Sequence, residues 1–184
     1  MESVYGISAM LATLAFAPAA SASLTTFESA GAIPSEIAAT RDAFREAVGG
    51  GTAAGANGSF GGLRREINWD GVPDARADVN LLPADFFNVN SPRGAVFSTP
   101  GTGFLVSANS GQISAPLFGF PGDFQTFSSQ RLFTALNSNI TDVSFFLPGT
   151  TTAATTNAFA AIFVDVEVAS LTRMEFFDAS NSLM

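Results

Sequence analysis

Four aspartates, Asp70, Asp74, Asp78 and Asp85, share one turn-rich stretch with Asn68, Asn80, Asn88 and Asn90. Carboxylate and amide oxygens gathered in loops are what a hard cation takes, and calcium needs about six to eight of them. The stretch therefore offers Asp70, Asp74, Asp78 and Asp85 as ligands for calcium, as an optional structural ion. No D-x-[DN]-x-[DN]-G run orders these oxygens, and Asp and Asn are also the ordinary residues of turns, so spacing alone leaves both roles open. Trp69, the one tryptophan, adjoins the same acids, and Phe86 and Phe87 follow on the next loop. An exposed indole can stack on a pyranose face, which makes Trp69, Phe86 and Phe87 a candidate sugar platform; a lone tryptophan is equally a core residue.

Two pairs of acids lie close enough in the chain to suggest glycoside hydrolysis, Glu66 with Asp70 and Asp165 with Glu167. Asp165 and Glu167 alternate with Val164, Val166 and Val168, so they point the same way from one strand, as a solvated sheet face does. Other chemistries are removed by composition. The chain contains no His and no Cys, which excludes a Ser-His-Asp triad, thiolate catalysis, zinc ribbons and iron–sulfur ligation. Its eight basic residues are all arginine, so the Gly-rich loop between Thr52 and Gly62 has no lysine to serve a phosphate. No catalytic residue is assigned.

A net charge of −8, with 16 acidic side chains against 8 scattered arginines, argues against nucleic acid as a partner. Hydrophobic residues make up 47% and phenylalanine occupies 19 positions, which is a folding composition, and 184 residues suit one domain with a sizeable core.

Residues Ile7 to Ala17 form an apolar run too short to span a bilayer, followed by Pro18 and the small-residue stretch ending Ala20-Ser21-Ala22. That outline is a signal peptide, cleaved after Ala22, with a secreted or cell-envelope destination and no transmembrane helix in the mature chain. Three parts follow: a signal peptide over 1–22, a helix and Gly-rich loop capping the sheet over 23–62, and a β-sandwich over 63–184.

The spacing of Ile33, Ile37, Phe44 and Val48 predicts an amphipathic helix over Pro34–Val48, opened by proline and closed by Gly49-Gly50-Gly51. Its apolar face should lie on the sheet. From Leu63 the text turns to short apolar runs between turns. The expected strands are Arg64–Trp69, Ala95–Ser98, Phe104–Ala108, Gln130–Thr134, Val143–Leu147, Phe159–Val168 and Arg173–Asp178.

The runs REINWDGVPD (Arg65 to Asp74), LPADFFNVNSPRGAVF (Leu82 to Phe97), FSSQRLFTALNSNITDVSFFLPG (Phe127 to Gly149) and AFAAIFVDVEV with FFDASNSL (Ala158 to Leu183) resemble a family of uncharacterised bacterial exported proteins. Many of that family carry a PEP-CTERM sorting tail. The resemblance implies an extracellular β-sandwich of jelly-roll type and transfers no activity to any residue. The chain lacks the Pro-Glu-Pro tail and stops at Leu183-Met184, where relatives continue into further strands, which implies a shortened member with an open sheet edge available for self-association.

The sequence therefore predicts a mainly β, antiparallel jelly-roll-like sandwich with one N-terminal amphipathic helix. It would be a non-enzymatic surface or matrix binding module whose partner is an extracellular polysaccharide or matrix component. A structural or assembly subunit is the alternative, and a hydrolase using paired carboxylates a weaker one.

Overall fold

The computed structural model describes residues 24–61, 64–166, 168 and 171–184. The expected signal peptide over 1–22 and the carboxylate of Glu167 lie outside them. The described chain is mainly β, with six short strands and little helix.

A 3-10 turn over Pro34–Ile37 runs into α1, Ala38–Val48, which ends where Gly49 takes φ 78°. That left-handed step carries a penalty for any residue with a Cβ, and glycine takes it freely. The predicted bounds hold, but the predicted docking does not, because no residue of α1 is buried. Phe44 is half-buried and meets Phe27 edge to face at 5.9 Å. Arginines fasten the helix instead. Arg64 Nη1 donates to the carbonyls of Arg45 (3.0 Å) and Gly49 (3.4 Å), and Nη2 to that of Gly51 (2.8 Å). A guanidinium thus covers the carbonyl end of the helix dipole. Arg64 also lies 4.5 Å above the Phe60 ring, and Arg45 forks onto Glu66 at 2.7 and 2.8 Å.

β1 (Ser59–Phe60) pairs with β2 (Arg64–Arg65) as a minimal antiparallel ribbon. The expected strand Arg64–Trp69 stops there, because Asn68 Oδ1 accepts from the Asp70 N–H and turns Trp69–Gly71 into a 3-10 turn. Four longer strands follow: β3 (Ala95–Ser98), β4 (Gly103–Val106), β5 (Phe133–Leu136) and β6 (Asp142–Phe145). They pair β3 with β6 and β4 with β5, both antiparallel. The chain therefore crosses from one ribbon to the other between β3 and β4, and crosses back between β5 and β6. The two crossings are tied together: the Thr99 hydroxyl donates to the Ile140 carbonyl at 2.7 Å, and Asn137 Nδ2 donates to Thr102 Oγ1 at 2.8 Å.

Alternation along β3 and β4 buries Ala95, Phe97, Phe104 and Val106. These meet Val72, Ala77, Leu82, Phe86 and Phe87 in one core, with Phe86 and Phe87 supplied by a short helix, α2 (Phe86–Val89). Phe133, Ala135 and Val143 pack on its flank, so both ribbons contribute to the same interior.

The two C-terminal strands expected from the sequence are not formed. No described residue of Phe159–Val168 is in a strand, and Asp165 stands in the left-handed region at φ 59°. Arg173–Asp178 is reduced to one bridge between Phe177 and Leu183, around a turn in which Asp178 Oδ1 accepts from the Ser180 and Ser182 N–H groups at 2.9 Å. Strand propensity measures fit to a pleated neighbour, and among the described residues the first segment has none and the second only the chain end around Leu183.

Candidate functional site

Three side chains between Trp69 and Arg131 fix how β5 begins. Asp70 Oδ1 accepts from the backbone N–H groups of Gln130 (3.2 Å) and Arg131 (2.9 Å). Donors committed to a carboxylate cannot join a ladder, so β5 starts at Phe133 and not at the expected Gln130. Arg131 itself is buried, its side chain only 1% exposed, and its Nη2 donates to Asp74 Oδ1. Its Nε and Nη1 are buried without a partner.

This clamp holds Ser129 and Gln130 at the rim of a cleft of about 450 Å³. The facing wall comes from the turn after β4. The Asn109 N–H donates to Gln112 Oε1, and the Gln112 N–H returns to the Asn109 carbonyl at 3.4 Å. Asn109 Oδ1 is buried and accepts no hydrogen bond. Ser110 and Thr126 add hydroxyls, while Pro116 and Leu117 supply an apolar side. Leu117 and Phe118 take φ 51° and 58°, a conformation that large side chains adopt only when their surroundings enforce it. The lining contains no titratable group. Chemically the cleft offers uncharged amides and hydroxyls, groups that can exchange hydrogen bonds with a neutral ligand rich in hydroxyl groups.

The sugar platform expected from the sequence is not assembled. Phe86 and Phe87 are 7% and 2% exposed, leaving no ring face to a ligand. Trp69 is half-buried and spent on the interior: it stacks on Phe133 at 4.2 Å with the planes 2° apart, and meets Phe87 edge to face at 5.3 Å. The expected calcium ligands are dispersed in their contacts. Asp70 serves backbone donors and Asp74 serves Arg131. Asp78 sits where its backbone N–H bonds the Val106 carbonyl, and Asp85 is exposed just before α2. Among the described residues no three acids converge on a metal-sized point.

Glu66 and Asp70 take different partners. Glu66 is engaged by Arg45 and by Arg64, whose Nε lies 3.0 Å away in ionic contact without hydrogen-bond alignment. Asp165 is exposed. Arg93 donates from Nε to the Glu66 carbonyl at 2.5 Å and lies over the Phe87 ring at 5.3 Å, where burial holds its guanidinium below its ordinary pKa.

The cleft residues Asn109, Ser110, Thr126, Ser129 and Gln130 were not foreseen. Their types are those of ordinary turns, and the one signal in the sequence was the density of amides and hydroxyls over Asn109–Gln112 and Thr126–Gln130. No family model, no curated protein and no solved structure matches the chain.

Proposed function

We propose that the protein is a non-enzymatic binding module of the cell surface or matrix, and that its cleft beside Asn109 and Gln130 takes a short stretch of neutral polysaccharide. The observation that carries this is the uncharged lining of amides and hydroxyls from Asn109, Ser110, Thr126, Ser129 and Gln130. Pro116 and Leu117 supply the flat apolar side on which the C–H face of a sugar can rest.

Export through a cleaved signal peptide, and kinship with the PEP-CTERM-bearing exported proteins, belong to the same proposal. So does a sandwich architecture, which the two crossings between the ribbons support. In this scheme the acids beside Trp69 act as clamps for Gln130 and Arg131, and calcium is no part of the binding step.

Affinity electrophoresis against a panel of neutral and acidic polysaccharides tests the proposal. Retardation by a neutral polymer is expected, weakened about tenfold in Asn109→Ala and Gln130→Ala, each of which removes hydrogen bonds to the ligand. Binding that depends on acidic polymers and survives both substitutions refutes it. Release of soluble sugar during incubation would make the protein a hydrolase instead.

A further inference from the structure

The two edges of the β4–β5 ribbon are treated differently. On the β4 side the outward carbonyls are used: Phe104 accepts from the Leu82 N–H at 2.9 Å and Val106 from the Asp78 N–H at 2.7 Å. On the β5 side the outward Ala135 carbonyl takes only the neighbouring Thr134 hydroxyl, at 3.0 Å, and the outward N–H groups have no backbone acceptor among the described residues. The Ser107 N–H bonds the Leu132 carbonyl at 2.9 Å, and with Val106 opposite Phe133 this directs the N–H groups of Phe133 and Ala135 away from β4. Among the described residues neither N–H has a backbone partner. A cleft of about 180 Å³ runs beside this edge, lined by Leu132, Phe133 and Thr134.

The same chain carries a strand without a sheet. Ala158–Val168 is a run of strand-forming residues, yet Ile162, Phe163 and Val166 stand 43%, 49% and 51% exposed. Among the described residues no part of the run pairs with β5 in its own molecule. Phe159 packs on Phe145 of β6 at 5.9 Å, whereas Val164 and Asp165 line the cleft beside β5. The segment therefore reaches from β6 to the cleft beside β5, and the left-handed Asp165 breaks its extended course where it lines that cleft.

We propose that two copies of this chain associate by strand exchange, the 159–166 segment of each lying along the open β5 edge of the other. The edge supplies unpaired backbone donors and the segment supplies apolar side chains for the adjoining cleft. Both belong to one chain, so reciprocal addition closes on a two-fold axis after two copies. The proposal is independent of saccharide binding, and its test uses no saccharide.

Sedimentation of the full chain from micromolar to millimolar concentration should show a reversible dimer. Ala135→Pro keeps every apolar side chain and removes the outward N–H, a change that edge strands tolerate, and should weaken dimerisation by at least about tenfold. In the double variant Ile162→Pro/Phe163→Pro, successive N–H groups point to opposite sides, so one donor toward the partner is lost in either orientation, and dimerisation should fall similarly. Both prolines fall at exposed, unpaired residues, so this variant keeps the test open if Ala135→Pro fails to fold by circular dichroism. Mixing the two variants should yield a heterodimer, because one retains its edge and the other its strand. Monomers at every concentration overturn the proposal, as does undiminished dimerisation in the double variant or in folded Ala135→Pro. Slow amide exchange over 159–166 in a monomer would also overturn it, by showing that the segment pairs within its own chain.

Discussion

Replacing Trp69 with alanine separates a core indole from a ligand-binding one. The ring is sandwiched in the aromatic group, stacked on Phe133 at 4.2 Å, edge-on to Phe87 at 5.3 Å and tilted against Phe97 at 5.9 Å. Full removal of a buried Trp or Phe costs about 3–5 kcal/mol, and half-burial puts Trp69 toward the lower end, near about 3 kcal/mol. In a chain of this size each kcal/mol lowers the midpoint by roughly 2–4 °C, so a fall of roughly 6–12 °C is expected. Trp69→Phe keeps the stack on Phe133 and should lose less than half as much. Thermal melts followed by far-UV circular dichroism measure all three proteins without relying on the indole as reporter. Polysaccharide retardation, measured below the lowest midpoint, should be unchanged in both variants. A loss under about 1 kcal/mol in Trp69→Ala, accompanied by lost polysaccharide binding, would refute the assignment and restore Trp69 as a sugar-stacking ring.

Arg131→Met should leave stability within about 1 kcal/mol of the parent or raise it, because it removes two buried unpartnered donors and forfeits only a pair with the 70%-exposed Asp74. Asp74→Ala, which strands the guanidinium, should be the more destabilising change in urea titrations. Arg64→Ala should free α1 from the carbonyl contacts of Arg45, Gly49 and Gly51, seen as faster amide exchange over Ala38–Val48 with Phe97 and Phe104 still protected. Phe44→Ala, at a half-buried ring, should cost only about 1 kcal/mol, well short of a core truncation. Millimolar calcium should leave the melting midpoint unmoved, since Asp70 and Asp74 are committed elsewhere; a rise would place an ion on them. The Ser182 and Ser180 backbone N–H groups and the Ser180 hydroxyl hold the Asp178 carboxyl below the usual range. Its contribution to the C-terminal turn is therefore present above the unfolded pKa and lost as pH falls through the folded one, and the Ser180 and Ser182 amide shifts should report that loss in an acid titration by NMR.

Local patterns carried as far as local physics reaches. Ala95–Ser98 is a strand to the residue, and the helix ends at the glycines that mark it, because alternation and a C-terminal glycine act within a few residues. The expected strand at Gln130 begins later for a reason some sixty residues away, the Asp70 carboxylate that takes the Gln130 and Arg131 N–H groups. The helix showed an apolar face in the sequence, but nothing in that face says whether a sheet lies beneath it. Here the fastening came from Arg64, whose charge alone suggested a surface residue. AFAAIFVDVEV is the most persuasive strand in the text and is unpaired among the described residues, since propensity records what a segment would fit and not whether a neighbour is within reach.

The candidate site was less legible because its residues are those of turns. Asn109, Ser110, Ser129 and Gln130 carry no periodicity, and Asn109 becomes distinctive only when its Oδ1 is found buried without a donor, a property of the surrounding fold. Of the residues that did stand out, Trp69 turned inward, Asp70 and Asp74 were spent on clamping, and Asp85 stayed in solvent. Rarity and charge draw attention in a sequence, yet each is satisfied by whichever partner the fold delivers first. For Trp69 that partner is Phe133, and for Asp70 it is the two amides just before β5. The conspicuous residues thus hold the start of β5, and the inconspicuous amides Asn109 and Gln130 line the cleft beside it.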